Sequence, residues 1–272
     1  MKSTAELSGI QNYKNLPNRF ELPSAWKFFL YFLGICFFIY SLSGSGLSGG
    51  DLVRGVPNMA RLVGEMTPPE FSRIRSISLA MLQTFQMALV GATIGIIISF
   101  FLAVLASRRN SPHPALYYST RFIIAFCRSV PDLVWAVLFV ASVGLGVFAG
   151  TLTIIIDTIG FCGRFFAEAM EEVDQGPEEA LQTIGATRLD IVMSAVVPAA
   201  MPSFVNSSLF AIEKAVRSSV VLGLVGAGGI GIELKVAMDM FEYQTAATII
   251  LSIFLLVIAV EQFSITIRSR FM

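Results

Sequence analysis

Residues 178–202 read EEALQTIGATRLDIVMSAVVPAAMP. Two carboxylates open the stretch, Gly185 interrupts it, and Pro198 and Pro202 close it. Ala180, Leu181 and Ile184, then Leu189, Ile191, Val192 and Ala195, recur at helical spacing on either side of the glycine, which predicts two short helices with a bend between them. Just upstream, EEVDQGPEEA (171–180) puts Pro177 and a run of carboxylates at a helix start. Proline suits the first turn, and negative charge suits the positive end of the helix dipole. Periodicity alone would allow this pair simply to rest on lipid headgroups.

The surroundings are greasy. Of 272 residues 55% are hydrophobic and 14% charged, and the mean hydropathy is +0.73, well above an ordinary soluble domain. An all-α, polytopic membrane protein is expected. Lys plus Arg equals Asp plus Glu at 19 each, so no general basic surface points to nucleic acid as a partner. A helix needs roughly 20 mainly apolar residues to cross a bilayer, and six stretches qualify. They run from about Trp26 to Leu47, Leu79 to Ala106, Ile123 to Ala149, Gly150 to Met170, Pro198 to Val225 and Thr245 to Phe263. The third and fourth are joined by a very short glycine-rich turn and form a helical hairpin.

The first 27 residues are polar and carry Lys2, Lys14, Arg19 and Lys27. They are too long and too polar for the n-region of a signal peptide, so the first apolar run is expected to remain as an anchor. Twelve Lys and Arg residues fall on the side of the N-terminus and five on the other, which puts both termini in the cytoplasm. Arg54, Arg61, Arg73 and Arg75, on the outer loop of about 48–78, fit that assignment least well. The expected organisation is a cytoplasmic segment 1–27, a first span with its periplasmic loop 28–78, and a transmembrane domain 79–272. Residues 171–198 form that domain's longest interior loop.

With the loop placed inside, a family likeness becomes visible. Glu179-Ala180-Leu181, Gly185 after three more residues, and Ala195-Val196-Val197-Pro198 after nine more resemble the EAA loop of permeases from ATP-binding-cassette (ABC) importers. Leu181 stands where the family has Ala, Ala195 where it has Ile, and Val197 where it has Leu. RSVPDLVWAVLFVASVGLGVFAG (128–150), FFAEAMEEVDQGPEEAL (165–181), IEKAVRSSVVLGLVGAGGIG (212–231) and PPEF (68–71) are similar to the phosphonate-type branch. The resemblance covers about Gly49 to the C-terminus.

It implies a MetI-like permease core that moves phosphonates or related phosphorus oxyanions and does no covalent chemistry. Glu178, Glu179, Ala180, Leu181, Gly185 and Pro198 would couple it to an ATPase subunit pair. The other implied partners are a periplasmic or extracellular substrate-binding protein and a second copy of the chain, in the bacterial inner membrane. No cofactor is expected in this chain, since no G-x-x-x-x-G-K-[ST] occurs in it; ATP and Mg would sit on the ATPase. A permease for another small substrate, such as methionine, would keep the same architecture.

Other motifs carry competing readings. Gly226-Ala227-Gly228-Gly229-Ile230-Gly231 matches G-x-G-x-x-G, but it follows a membrane-length helix rather than a strand, which removes a dinucleotide site. The glycines let backbone bend or pack closely where a cavity is lined, and by resemblance they lie near an outer gate. Glu213 and Arg217 stand four apart within a span and are expected to pair, or Arg217 offers positive potential to an anion. Asp157 and Arg164, seven apart, admit the same choice. Arg128 marks the inner mouth of the third span, as a pathway residue or as one snorkelling to the interface. Pro131 beside it is expected to kink or start a helix. Cys36, Cys127 and Cys162 form no metal or redox pattern. The rival class, an intramembrane serine protease, would need Ser45 and His113, which this topology puts on opposite sides.

Overall fold

A computed structural model describes residues 24–46 and 48–271. Most of the expected segment 1–27, with Lys2, Lys14 and Arg19, lies outside the described residues. Among those described, the secondary structure is helical throughout. Five helices are long and apolar enough to span a membrane, or six if one bent pair counts as a single span.

The chain divides into two units at Arg61/Leu62. In the first, α1 (Ala25–Gly44) exposes apolar side chains on every side, the composition of a lipid-facing helix. The loop of about 48–78 is largely helical: α2 (Gly49–Glu65) sets Leu52, Val53, Val56, Met59 and Val63 along one stripe. Asp51, Arg54, Asn58, Arg61 and Glu65 follow the opposite one.

The second unit is a bundle of α3 (Ile74–Ala106), α4 (Pro114–Ser129), α5 (Asp132–Val143), α6 (Val147–Glu171), α9 (Val197–Leu224), α10 (Ile230–Asp239) and α11 (Tyr243–Phe271). Between α6 and α9 lie α7 (Gly176–Thr183), α8 (Arg188–Ile191) and a π turn, Val192–Val196. Helices α3, α6 and α9 form its centre. Small residues let α3 and α6 approach closely: a Cβ on Gly95 would stand 2.5 Å from Thr158 Cβ, and one on Gly91 2.8 Å from Ile154 Cβ. Lipid gives helices no hydrophobic reason to associate, so such close packing supplies the attraction.

The third expected span, about Ile123 to Ala149, is corrected. Val130 is extended (φ −85°, ψ 123°) and Pro131 is the N-cap of α5, because the proline ring bars its predecessor from helical geometry. The resulting halves, α4 and α5, are bent by 90°. The turn into the next helix falls at Gly144–Gly146, both with positive φ (95° and 132°), rather than near residue 150.

The PPEF stretch is pinned to the start of α11: the Glu70 amide donates to the Gln244 carbonyl (3.3 Å), and Thr248 Oγ1 donates to the Glu70 carbonyl (2.6 Å). Arg73, one of the four arginines hardest to place by side, pairs with Glu242 at 3.2 Å and Glu233 at 3.7 Å.

Candidate functional site

The 172–196 segment leaves α6, folds into α7 and α8, and re-enters the bundle through α9. Gly185 ends α7 at φ +83° with nothing within 4 Å of where a Cβ would stand, so conformation rather than space requires glycine there. The Ala186 amide donates to Leu181 O (3.1 Å) and the Gly185 amide to Gln182 O (3.0 Å), the pair of bonds of a Schellman cap. Leu181, the residue that departs from the family's triplet, therefore supplies a capping carbonyl. Thr187 starts α8 with a capping box: its Oγ1 accepts from the Asp190 amide (3.3 Å) and the Asp190 carboxylate accepts from the Thr187 amide (3.1 Å).

The second expected short helix is not separate. Arg188–Leu224 runs as one rod, with the wide π turn just before Pro198. Proline lacks an amide hydrogen and would press on the carbonyl four residues back, and the extra residue in that turn accommodates it. Pro198 thus stands within a continuous re-entering helix. The apolar residues divide between two faces. Ile191, Val192, Ala195 and Val196 are buried, Val192 and Val196 in a cluster with Ala103, Phe166 and Met170, whereas Ile184 (78%), Leu189 (69%) and Met193 (53%) are exposed. Glu179 and Ala180 are exposed beside them, and Leu181 is half-buried.

Glu178, expected among the ATPase-coupling residues, is 6% exposed. Its Oε1 lies 3.3 Å from Arg109 Nη1, an ionic contact without the alignment of a hydrogen bond. Arg109 Nη2 also donates to the carbonyls of Met170 (3.2 Å), Glu171 (2.8 Å) and Val173 (3.0 Å), where the end of α6 leaves acceptors unpaired. Glu171 takes the Arg108 amide (2.7 Å) and both oxygens accept from Arg121 Nη2 (2.9 Å each). The α3–α4 loop and α4 thus clasp the root of the segment. Sequence reasoning missed this clasp, since the partners lie 50 to 63 positions apart in the cited hydrogen bonds to Glu171.

Two charge pairings along the spans differ from expectation. Glu213 accepts from Arg268 of α11 at 3.0 Å rather than from Arg217, and Asp157 accepts from Lys214 at 2.7 Å rather than pairing with Arg164. Arg164 instead donates to Glu168, one turn along, at 2.7 Å. Adjacent residues on a helix point about 100° apart, so Glu213 reaches α11 while Lys214 reaches α6. Arg217 is exposed and forms no ion pair among the described residues.

Arg128 is likewise exposed and without an ion pair among the described residues. Its backbone packs on Gly160, where a Cβ would come 2.8 Å from the Arg128 nitrogen. With Arg121, Arg164 and Glu168 it lines a cavity of about 620 Å³ between α4 and α6. Ser218 Oγ donates to Asp132 at the start of α5 (3.1 Å). A strip of α6, Asp157, Phe161, Arg164 and Glu168, thereby lies between polar contributions from α4 and α5 on one side and α9 on the other.

The glycine motif is a tightly packed turn from α9 into α10. Gly226, Gly228 and Gly229 have φ of 95°, 89° and 73°. A Cβ on Gly228 would stand 2.7 Å from the Val147 nitrogen, and one on Gly229 would collide with Thr84 Oγ1. That hydroxyl accepts from the Ile230 amide (2.7 Å) and donates to Ala80 O (2.8 Å). Gly231 packs backbone to backbone on Val220 and Gly223.

His113 caps α4, with Nδ1 accepting from the Ala115 amide at 3.1 Å. Among the described residues no three His, Cys, Asp or Glu side chains gather as a metal site needs.

Residues 95–267 match the family model described as "Binding-protein-dependent transport system inner membrane component". The chain is 38% identical over 225 residues to the phosphite transport system permease protein PtxC of Stutzerimonas stutzeri, covering 83% of this chain and 82% of that one. It is 42% identical over 206 residues to the phosphate-import permease protein PhnE of Mycolicibacterium smegmatis strain ATCC 700084 / mc(2)155, covering 75% of this chain and 39% of that longer protein. The fold is similar to a solved chain of the MetNI methionine ABC transporter in an inward-facing conformation. That match has TM-score 0.63 and 24% identity, covering 75% of this chain and 99% of that chain.

Proposed function

The chain belongs to the family of binding-protein-dependent transport system inner membrane components, and from that premise we propose that it carries phosphonates or closely related phosphorus oxyanions, phosphite among them, through an ATP-driven importer. It is a transport subunit of the inner membrane. The observation that carries the coupling half of this reading is the 172–196 segment. Its root is clasped by Arg109 and Arg121, its bend is fixed by Gly185, and its free surface presents Glu179, Ile184, Leu189 and Met193. An exposed apolar patch with a carboxylate beside it, on a segment joined directly to two central helices, suits a protein partner. That partner is an ATPase subunit holding ATP and Mg, one for each of two permease copies.

In this reading both termini and the segment are cytoplasmic. Closure of the ATPase pair on ATP moves the segments, and α6 and α9 move with them as the pathway alternates between openings. Ligand arrives from a binding protein at the glycine-turn end, and Arg217 and Arg128 present positive potential along the way. The phosphorus cargo rests on the relatives whose names carry phosphite and phosphate. The methionine transporter shares the fold at 24% identity, which supports no transfer of cargo.

ATP-driven uptake of phosphite and methylphosphonate by proteoliposomes holding the full transporter tests the coupling. Glu179→Lys is expected to abolish uptake and release the ATPase from control while the chain stays inserted. Wild-type uptake in that variant would reject the assignment of the segment.

A further inference from the structure

The Asp157–Lys214 pair lies outside the clasp and the glycine turn. Asp157 stands ten residues into the 25-residue α6, roughly 15 Å along it, and Lys214 is well inside the 28-residue α9. Both side chains remain partly accessible, Lys214 at 36% and Asp157 at 22%. An ionised side chain at the centre of a spanning helix is costly where it meets lipid and by default faces the bundle interior, a cavity or a partner. The accessible part of this pair therefore faces water or protein.

Its surroundings combine aromatic faces with a second cation. Lys214 Nζ lies 5.5 Å from the centre of the Phe161 ring, and Phe161 stacks on Phe210, so one side of the ammonium is walled by aromatics. An ammonium has three donors, and the described residues supply one acceptor, Asp157 Oδ1 at 2.7 Å. Arg217, three residues on and therefore a neighbour on the helix surface, brings a second cation. Ser218, one turn beyond Lys214, is held by Asp132.

We propose that Lys214 is the oxyanion-contacting residue of the pathway and that Asp157 is its resident counter-ion, a carboxylate that holds the ammonium until a phosphorus oxyanion displaces it. This rests on the phosphorus-oxyanion reading above. A carboxylate and a phosphonate or phosphite oxygen are the same kind of acceptor to an ammonium, and Arg217 adds attraction that Asp157 does not use. The exchange also has a mechanical consequence. Asp157 belongs to the helix that enters the 172–196 segment and Lys214 to the helix that leaves it, so an oxyanion that takes over Lys214 unties α6 from α9. No bond is made or broken in the exchange.

The test uses the permease–ATPase complex without binding protein, with inorganic phosphite as probe and ³¹P NMR line broadening as readout, beside uptake by the full transporter. Asp157→Asn is expected to tighten phosphite binding about tenfold and to slow uptake, because the competitor that promotes release is lost. Lys214→Gln is expected to lose both binding and uptake. Where Lys214→Gln alone does not assemble, the neutral pair Asp157→Asn with Lys214→Gln takes its place, with the same expectation.

The swapped pair, Asp157→Lys with Lys214→Asp, keeps an ion pair and is expected to assemble without transporting. Uptake by the swapped pair at the wild-type rate, or unchanged phosphite binding in Asp157→Asn, would overturn the assignment and leave the pair a structural tie. A wild-type transporter that takes up methionine and none of phosphite, phosphate and methylphosphonate would instead overturn the phosphorus-oxyanion reading itself.

Discussion

Helix α9 is joined to its neighbours differently at its two ends. The end beyond Val196 is held by charges as well as by the buried Val192 and Val196: Arg109 and Arg121 grip Glu178, Glu171 and the last carbonyls of α6, while Ile184, Leu189 and Met193 stay exposed. The end beyond Leu224 is locked by shape, with Gly228, Gly229 and Gly231 so close to Val147, Thr84 and Val220 that no side chain fits. Ionic contacts and caps tolerate small displacements, whereas backbone packed on backbone does not deform gradually. Under the proposed coupling, a subunit driven from one end needs that difference, with a segment that can be moved and a far turn that transmits or resists the motion.

The largest expected effect tests the shape-locked end. Gly231→Val forces a side chain into the Val220 carbonyl, and the expected outcome is loss of folded protein from detergent extracts of membranes. Recovery of a monodisperse complex would show that the turn yields, which removes the contrast.

At the charged end, Arg109→Ala leaves Glu178 and the α6 carbonyls without their partner. A buried polar group left unsatisfied costs about 1–3 kcal/mol, so the thermal midpoint of the purified complex should fall while the protein is still recovered. An unchanged midpoint would mean the clasp does not hold the segment. Gly185→Ala meets no steric obstacle and strains only the backbone, by about 1–2 kcal/mol. Limited proteolysis within 176–191 should quicken before global stability changes. The mildest change, Thr187→Ala, removes one half of a capping box, worth about 1 kcal/mol. It should raise amide exchange in 188–191 and leave 225–231 as protected as before. Equal loosening of both ends would indicate that they are not mechanically distinct.

Much of this was legible in the linear chain because its signals are local. A proline bars its predecessor from helix, so the break at Val130–Pro131 could be anticipated, though not its 90° angle, which depends on what α4 and α5 pack against. Gly185 could be named as a bend because a Schellman cap is written in a few consecutive residues. Arg217 with Glu213 looked like a pair for the same local reason, and there locality misled. The spacing permits the contact, but Arg268 on α11 takes Glu213, and Asp157 on α6 takes Lys214. The clasp on Glu171 gave no signal at all in sequence.

The sequence by itself determined that the chain is a helical membrane protein, roughly where most of its spans lie, and that residues 178–202 carry a glycine bend and belong to a recognisable permease family. Hydrophobic runs, proline, glycine and caps act over a turn or two of helix, so they can be read in order. Only the tertiary structure decided which carboxylate meets which cation, which apolar side chains of the segment face the bundle, and which glycines are needed for space rather than for bending. Those choices depend on helices 55 or 57 positions apart coming into register, and nothing in local periodicity encodes which face of one helix will meet another.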